Sequence, residues 1–284
     1  MEMEHLYHFG ETVIYVLIAF VFLIIIKKTI DYLVHKEYQA DYEIEENSNI
    51  AIAVRRAGLY LGFSIGFAGS LTGESTGIAI DAYLLQAVDL GLITLFMFIS
   101  FYISDKLLIP GINNTQAIMQ QNIAVASSEA GLFIATGIIA AASFSGEGSF
   151  ISSIIFFTLG QVVLLLMSFI YEYMNKYSLK SELKKANTSA GVMLGGMLIA
   201  ISLILNASIS GPSNELILDI IAFAYSAVMG IVLIIIFFSK SMDKFFFSNT
   251  NIEKEIEEDQ NLAAIIITVS IKIALAFIIA SVLI

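Results

Sequence analysis

The chain has 284 residues, of which 58% are hydrophobic and 14% are charged, and its mean hydropathy is +0.86. A water-soluble fold of this length could not bury so much apolar surface, so the composition predicts a polytopic membrane protein of the all-α class. The formal net charge of -11 argues against nucleic acid as a partner, and the lack of cysteine excludes disulfides and thiolate metal ligands.

The predicted elements are eight apolar stretches, each long enough to cross the roughly 30 Å hydrocarbon core of a bilayer as a helix. In chain order they cover residues 11–29, 50–72, 83–104, 122–145, 150–173, 188–210, 215–239 and 261–284. No Lys or Arg precedes the first stretch, so we expect this helix to be retained rather than cleaved as a signal peptide.

An asparagine is followed 24 residues later by a glycine at three places, and a fourth asparagine starts a last copy of the pattern. The residues are Asn49 and Gly73, Asn122 and Gly146, Asn187 and Gly211, and Asn261. Asn can cap the first turn of a helix, and Gly can adopt the left-handed conformation that ends one. The spacing therefore predicts four two-helix repeats, grouped into halves 1–146 and 147–284 of one membrane domain. Because two crossings return the chain to the side it left, we expect four parallel repeats, related by an axis along the membrane normal.

The two helices of each repeat differ in side-chain size. The even-numbered helices carry most of the small residues, and the odd-numbered helices carry most of the phenylalanines. Small residues let helix backbones approach each other in a membrane, so we predict that the even-numbered helices lie inside and the odd-numbered ones face lipid. The seventh helix, which is also rich in small residues, is the expected exception. The glycines expected to pack helices are Gly58, Gly62, Gly66, Gly131, Gly191, Gly195 and Gly196.

Lysines follow the odd-numbered helices and are absent from the other connections and from both ends of the chain. The positive-inside bias therefore predicts that these four connections are cytoplasmic and that both termini lie on the opposite side. The lysines concerned are Lys27, Lys28, Lys36, Lys106, Lys176, Lys180, Lys184, Lys185, Lys240, Lys244 and Lys254.

Ionisable residues inside the predicted spans are candidate functional groups, because each is costly in a bilayer unless it is paired or hydrated. Arg56 and Glu129 both lie seven residues after their capping asparagines, and Lys272 lies one helical turn further into its own repeat. We therefore predict that these three side chains form a shared polar cluster between the inner helices.

Three more charges are expected at the edges of this cluster. Asp89 and Asp219 are predicted in the outer halves of odd-numbered helices, and Arg55 near the cytoplasmic interface. Two interpretations stay open. Either Glu129, Arg56 and Lys272 line a hydrated axial pathway in which Glu129 exchanges a proton or coordinates a cation, or buried ion pairs hold the repeats in register while Arg55 extends to the surface.

Metal and cofactor sites are not expected. Glu4, His5, His8 and Glu11 form the only cluster that resembles a metal site, and groups so near the start of the chain are expected to be solvated. The sequence contains no phosphate-binding loop and no Ser/His/Asp order, so we expect neither an enzyme nor a cofactor.

The stretches that begin at the capping asparagines carry a family resemblance. Residues 187–196, 49–53 and 122–126 resemble the signature of the YjfL-like bacterial inner-membrane proteins, the family called domain of unknown function three hundred and fifty. Shorter relatives resemble half of this chain, so the resemblance implies a duplicated form with four two-helix units. It also implies a cytoplasmic-membrane protein, sometimes linked to envelope-stress components of the PspA type, and it implies no established reaction.

Two functional hypotheses follow for an integral inner-membrane protein. The first is a small-ion channel or an ion- or proton-coupled transporter, with Glu129 as the ion or proton group and Asp89 at the outer approach. The alternative is a non-conducting scaffold or envelope-stress component that recruits a soluble cytoplasmic partner through its acidic segments, residues 41–46 and 253–259. The lipid bilayer is one expected partner of the chain. A second copy of the chain, in a homo-oligomer, is a further partner that the sequence leaves open.

Overall fold

The computed structural model describes residues 2–33, 39–71, 80–108, 111–145, 149–175, 177–210, 215–237 and 251–283. Over these residues all regular secondary structure is helical, which confirms the predicted all-α class. The eight long helices are α1 (Glu2–Leu33), α3 (Ile50–Ser70), α4 (Ile80–Leu108), α6 (Ile123–Phe144), α7 (Phe150–Met174), α9 (Thr188–Ile209), α10 (Leu216–Phe237) and α12 (Leu262–Leu283). Each contains a segment long and apolar enough to cross a membrane, so the eight predicted spans are confirmed.

Some predictions concern residues whose structure is not described. Gly73, Gly146 and Gly211, Lys36, Lys176, Lys240 and Lys244, and the side chains of Glu4, His5 and His8 lie outside the described residues.

Four short helices precede the even-numbered spans: α2 (Ala40–Glu45), α5 (Asn114–Met119), α8 (Leu179–Lys184) and α11 (Ile252–Glu257). Each has only six residues, too few to show a helical hydrophobic period in the sequence, so these helices were not predicted. Between each short helix and its span, one residue has a left-handed backbone, which is uncommon outside glycine. These residues are Ser48, Gln121, Ala186 and Gln260, with φ of 51°, 62°, 57° and 47°.

The residue after each left-handed position is the capping asparagine, Asn49, Asn122, Asn187 or Asn261. Its Oδ1 accepts a hydrogen bond from the backbone amide three residues later, at 3.2, 3.0, 3.4 and 3.2 Å respectively. Each side chain thereby satisfies one of the amides that a helix start leaves without an intrahelical partner. The four repeats thus share one local structure from the short helix to the first turn of the span.

The even-numbered spans pack side by side in the order α3, α6, α9 and α12, and the odd-numbered spans lie against this row. In α6, 83% of the most apolar window is buried, whereas the value for α1 is 11%. At the end of the row α12 is less buried, at 33%. The seventh span, α10, was expected to be the exception among the odd-numbered spans and to lie inside. This prediction was wrong, because only 22% of the most apolar window of α10 is buried.

The row is open at both ends. Among the described residues, α3 and α12 have no extensive contact with each other. The inner helices therefore form a layer one helix thick. They do not close around a central axis, although the expected relation of the repeats by an axis along the membrane normal would have allowed a closed arrangement.

Neighbouring inner helices run in the same direction. Gly58 of α3 lies against Ala130 of α6, and Gly69 lies against Ala141, so the paired positions rise together along both helices. The same holds for α6 and α9, where Gly191 lies against Ala124 and the Nδ2 of Asn206 donates to the carbonyl of Ile138 at 3.4 Å.

Glycines allow this close packing. A Cβ atom on six of the seven predicted packing glycines would lie within 2.6 Å of an atom of the neighbouring helix, a distance that real Cβ atoms essentially never show. These are Gly58, Gly62, Gly131, Gly191, Gly195 and Gly196. The exception is Gly66, where the nearest atom would be a side-chain carbon of Ile93 at 3.2 Å. Helix association through small residues therefore operates at all three interfaces of the row.

Candidate functional site

A cavity of 380 Å³ lies between α1, α3, α4 and α6, and we call it the first-half cavity. Its walls are mainly apolar and include Leu59, Phe98, Phe101 and Phe133. Its charged lining residues are Lys27, Asp31, Arg55 and Arg56. Concave, largely apolar sites with a few polar groups are the usual form of a small-ligand pocket.

Beside this cavity, Arg55 of α3 forms an ion pair with Glu129 of α6. The Nε of Arg55 lies 2.6 Å from the Oε2 of Glu129, and the two residues are 5% and 2% exposed. The guanidinium carbon also lies 5.5 Å from the ring centre of Phe101, within the range of a cation–π interaction. The Nη1 of Arg55 is buried and has no hydrogen-bond acceptor among the described residues. The pair is thus compensated in charge, while one donor of Arg55 remains available beside the cavity.

Arg56 also lines the cavity and binds different partners. Its two terminal nitrogens form ion pairs with Asp31 at the end of α1 and with Asp41 in α2. Asp41 also binds the Nζ of Lys27 at 2.8 Å. Hydrogen bonds from Lys27 and Arg56 hold the pKa of Asp41 below its ordinary value, so this carboxylate stays ionised at neutral pH.

These contacts differ from the predicted cluster. Arg56 and Glu129 occupy the same repeat position, yet Glu129 binds Arg55, because equivalent positions on parallel helices face the same way rather than toward each other. Arg55 was expected near the surface in one interpretation and is instead buried. The three cations of this network are Lys27, Arg55 and Arg56. They pair with three carboxylates, those of Asp31, Asp41 and Glu129, so the network has no net formal charge.

A second cavity of 150 Å³ lies between α7, α9, α10, α11 and α12, and we call it the second-half cavity. It is lined mainly by apolar side chains, among them Met193 and Met197, and by the buried Lys272. Counted from the capping asparagines, Met193 corresponds to Arg55, and Lys272 corresponds to Phe133. The two halves therefore hold cavities at equivalent places with different chemistry. Lys272 lines a different cavity from Arg55 and Arg56, so the predicted three-membered cluster is divided.

The two remaining predicted charges lie apart from both cavities. Asp89 of α4 and Asp219 of α10 are partly exposed, and neither lines the first-half or the second-half cavity. Among the described residues, no group of three or more potential ligands could hold a metal ion.

Sequence reasoning missed three members of the first-half network: Lys27, Asp31 and Asp41. The signal for the first two was their spacing of four residues near the end of α1, which places them on one helix face. Asp41 gave no distinct signal, because it belongs to an acidic run that could equally complement the dipole of the following helix. A buried polar contact was also missed, in which the hydroxyl of Ser100 on α4 donates to the Oε1 of Gln161 on α7 at 2.6 Å.

Comparisons with known proteins give a family but no activity. The family model described as Domain of Unknown Function (DUF350) matches the chain twice, over residues 3–144 and 147–283. The chain is also similar to a UPF0719 transmembrane protein of Aquifex aeolicus (strain VF5), with 28% identity over 267 residues, 92% of this chain and 96% of the relative. No solved structure matches the chain. The double match confirms the duplicated form that the family resemblance implied.

Proposed function

Because the chain belongs to the DUF350 family, whose description assigns no activity, we propose its function from the first-half cavity: an ion- or proton-coupled transporter that binds a small anion there. The observation that carries this proposal is the buried Arg55–Glu129 pair beside a 380 Å³ cavity. Ionisable groups at membrane depth are functional candidates by default. This pair also lies beside a cavity in which a ligand can bind.

The chemistry of the pair supports coupling. While Glu129 is ionised, it neutralises Arg55, and the site carries no uncompensated charge. When Glu129 takes up a proton, Arg55 loses its counter-ion, and an anion in the cavity can replace the carboxylate. One proton and one anion then enter together, so the net charge of the buried site is unchanged. A buried net charge would cost several kcal/mol, and this cost makes binding of either ion alone unfavourable.

A carrier fits the architecture better than a channel through a single chain. The inner helices form an open row, and the first-half cavity lies between this row and the outer helices α1 and α4. A pore along the axis of the repeats would need the row to close, whereas a carrier needs only a cavity that changes its access.

The test is anion-dependent proton uptake by proteoliposomes that contain a pH-sensitive dye. Chloride, nitrate and benzenesulfonate are suitable probes, because these anions of strong acids do not cross a bilayer as neutral acids. We expect at least one of them to acidify the lumen with the wild-type protein. Glu129→Gln should abolish the coupling and Arg55→Met the anion response, while Lys272→Met, a change to the other buried cavity, should preserve both.

Two results would overturn this proposal: no anion-dependent acidification by folded wild-type protein, or equal acidification by Glu129→Gln. The first result would favour the second candidate, a scaffold that recruits a soluble partner. This candidate is supported by the solvent exposure of Glu45 and Glu46 at the end of α2 and of Glu257, Glu258 and Asp259 at the end of α11, which together offer acidic surface at the predicted cytoplasmic side.

A further inference from the structure

The capping asparagines also connect each repeat to the next. The Nδ2 of Asn49 donates to the carbonyls of Ile118 and Met119 in α5, at 3.4 and 3.3 Å. The Nδ2 of Asn122 donates to the carbonyl of Leu183 in α8 at 2.8 Å. The Nδ2 of Asn187 donates to the carbonyl of Ile256 in α11 at 2.6 Å. Each asparagine thus caps its own span with its oxygen and binds the short helix of the following repeat with its nitrogen.

The fourth asparagine has the first contact but not the second. Asn49, Asn122 and Asn187 are 1%, 8% and 0% exposed, whereas Asn261 is exposed. Its Oδ1 caps α12, and its Nδ2 makes no hydrogen bond to the described residues. At the other end of the row, Ile44 of α2 lies five residues before Asn49, as Ile256 lies five residues before Asn261. The carbonyl of Ile44 is therefore the equivalent acceptor.

The two end helices show the same complementarity inside the membrane. Along α6, the face that receives α3 includes Ala130, Gly137 and Ala141, which lie 8, 15 and 19 residues after Asn122. The equivalent residues of α3 are Ala57, Ser64 and Ala68, and all three are exposed.

The opposite face is open on α12. Along α3, the face that packs on α6 includes Gly58, Gly62 and Gly69, which lie 9, 13 and 20 residues after Asn49. The equivalent residues of α12 are Ser270, Ala274 and Ser281, and they too are exposed. The row thus ends on the two complementary halves of an interface that it uses three times internally.

One of the internal interfaces already joins two copies of the family domain. The packing of α6 on α9 connects the segment 3–144 to the segment 147–283, and each of these matches the DUF350 model by itself. We propose that a second copy of this chain continues the row head to tail, with its α2 and α3 docked on Asn261 and α12 of the first copy. This assembly does not rest on the proposed transport function.

The contact between copies is expected to be slightly wider than the internal ones. Position 9 is glycine in the first three repeats, Gly58, Gly131 and Gly196, and serine in the fourth, Ser270. Serine keeps the small-residue pattern but holds the backbones further apart. Because the contact is heterologous, it produces a ring or an open row, not a two-fold dimer.

The short helices at the two ends carry like charge. Glu45 is the last residue of α2 and Glu46 follows it; Glu257 is the last residue of α11 and Glu258 follows it; all four are exposed. Docking brings these carboxylates together at the membrane surface, so their repulsion opposes association. Salt screens charges at solvent-exposed sites, and we therefore expect the association to strengthen as ionic strength rises.

The absence of cysteine makes cross-linking a clean test. In membranes that contain the double variant Ala57→Cys/Ser270→Cys, or Ala68→Cys/Ser281→Cys, oxidation should produce covalent dimers and larger species. Each single variant should stay monomeric, whereas mixing the two single variants in one membrane should produce dimers only. As a matched control, Val16→Cys/Ser270→Cys places one cysteine on the exposed surface of α1 and should stay monomeric. Adding Asn261→Ala to a cross-linking pair should lower the yield.

Some results would refute the head-to-tail contact. A monomeric double variant at both low and high salt would exclude it, and dimers of Ser270→Cys alone would indicate a two-fold contact between α12 helices instead. Because these variants change neither Arg55 nor Glu129, their proton uptake can be measured in parallel. Loss of cross-linking and loss of transport are therefore distinguishable results.

Discussion

At the scale of residues, the Arg55–Glu129 pair is an ion pair between two almost fully buried side chains. Both side chains are almost completely buried in membrane spans, and they come from neighbouring helices of the row. A buried pair contributes little net stability compared with apolar residues of the same size, but removal of one member leaves the other charge uncompensated. The intact pair therefore changes the free energy of unfolding little, whereas replacement of either residue alone is expected to lower it.

This asymmetry predicts a strongly non-additive mutant cycle. Arg55→Met and Glu129→Met should each lower the free energy of unfolding by about 3–5 kcal/mol, whereas the double variant should recover most of that loss. Unfolding in mixed detergent micelles, followed by circular dichroism, measures the three values. Asp89→Asn, at a partly exposed site of an outer helix, is the control and should change little. Additive losses in the double variant would contradict a direct pair.

At the scale of elements, the inner helices depend on glycine where their backbones touch. A Cβ on Gly131 of α6 would lie 2.2 Å from the Cα of Gly195 in α9, and this neighbour is backbone that cannot rotate away. By contrast, a Cβ on Gly91 of α4 would meet nothing closer than a ring carbon of Phe22 at 4.0 Å. The two positions differ in packing and not in residue type.

Gly131→Ala should therefore separate α6 from α9 and lower the free energy of unfolding by about 1–3 kcal/mol or more, since the interface becomes overpacked. Gly91→Ala should be neutral or stabilising by up to about 1 kcal/mol, because alanine favours helix more than glycine does. The same micelle unfolding experiment compares both variants. Equal effects would mean that helix propensity, rather than contact between helices, decides the outcome.

At the scale of the whole molecule, the position of the row in the membrane remains a prediction from the distribution of lysines. Single-cysteine variants can test it, because the chain has no cysteine of its own. Glu215, before α10, and Glu257, at the end of α11, are both exposed. In spheroplasts, an impermeant maleimide should label Glu215→Cys directly and Glu257→Cys only after lysis. The reverse result would place the short helices α2, α5, α8 and α11 on the non-cytoplasmic side. The acidic surface at α2 and α11 could then not recruit a cytoplasmic partner.

Local physical rules explain what could be predicted from the sequence. Hydropathy over some twenty residues identifies a span regardless of its neighbours, so all eight spans were found. The capping role of Asn49 and its three equivalents depends only on amides within the same first turn. Repetition of these local signals along the chain was enough to predict four two-helix units, whereas the duplicated form was implied by the family resemblance and is confirmed by the double match of the family model.

Only the tertiary structure decided which charges meet and how the repeats are arranged. Successive residues of a helix point about 100° apart, so Arg55 and Arg56 face different neighbours, and the sequence alone could not say which one reaches Glu129. Asp31 and Asp41 come from other elements, and their pairing with Arg56 depends on how α1 and α2 dock. Whether the inner helices form an open row or a closed bundle depends on crossing geometry between surfaces that are nearly identical in every repeat. Local sequence signals describe each helix, but the contacts that define the site join segments far apart in the chain, and these become specific only after packing.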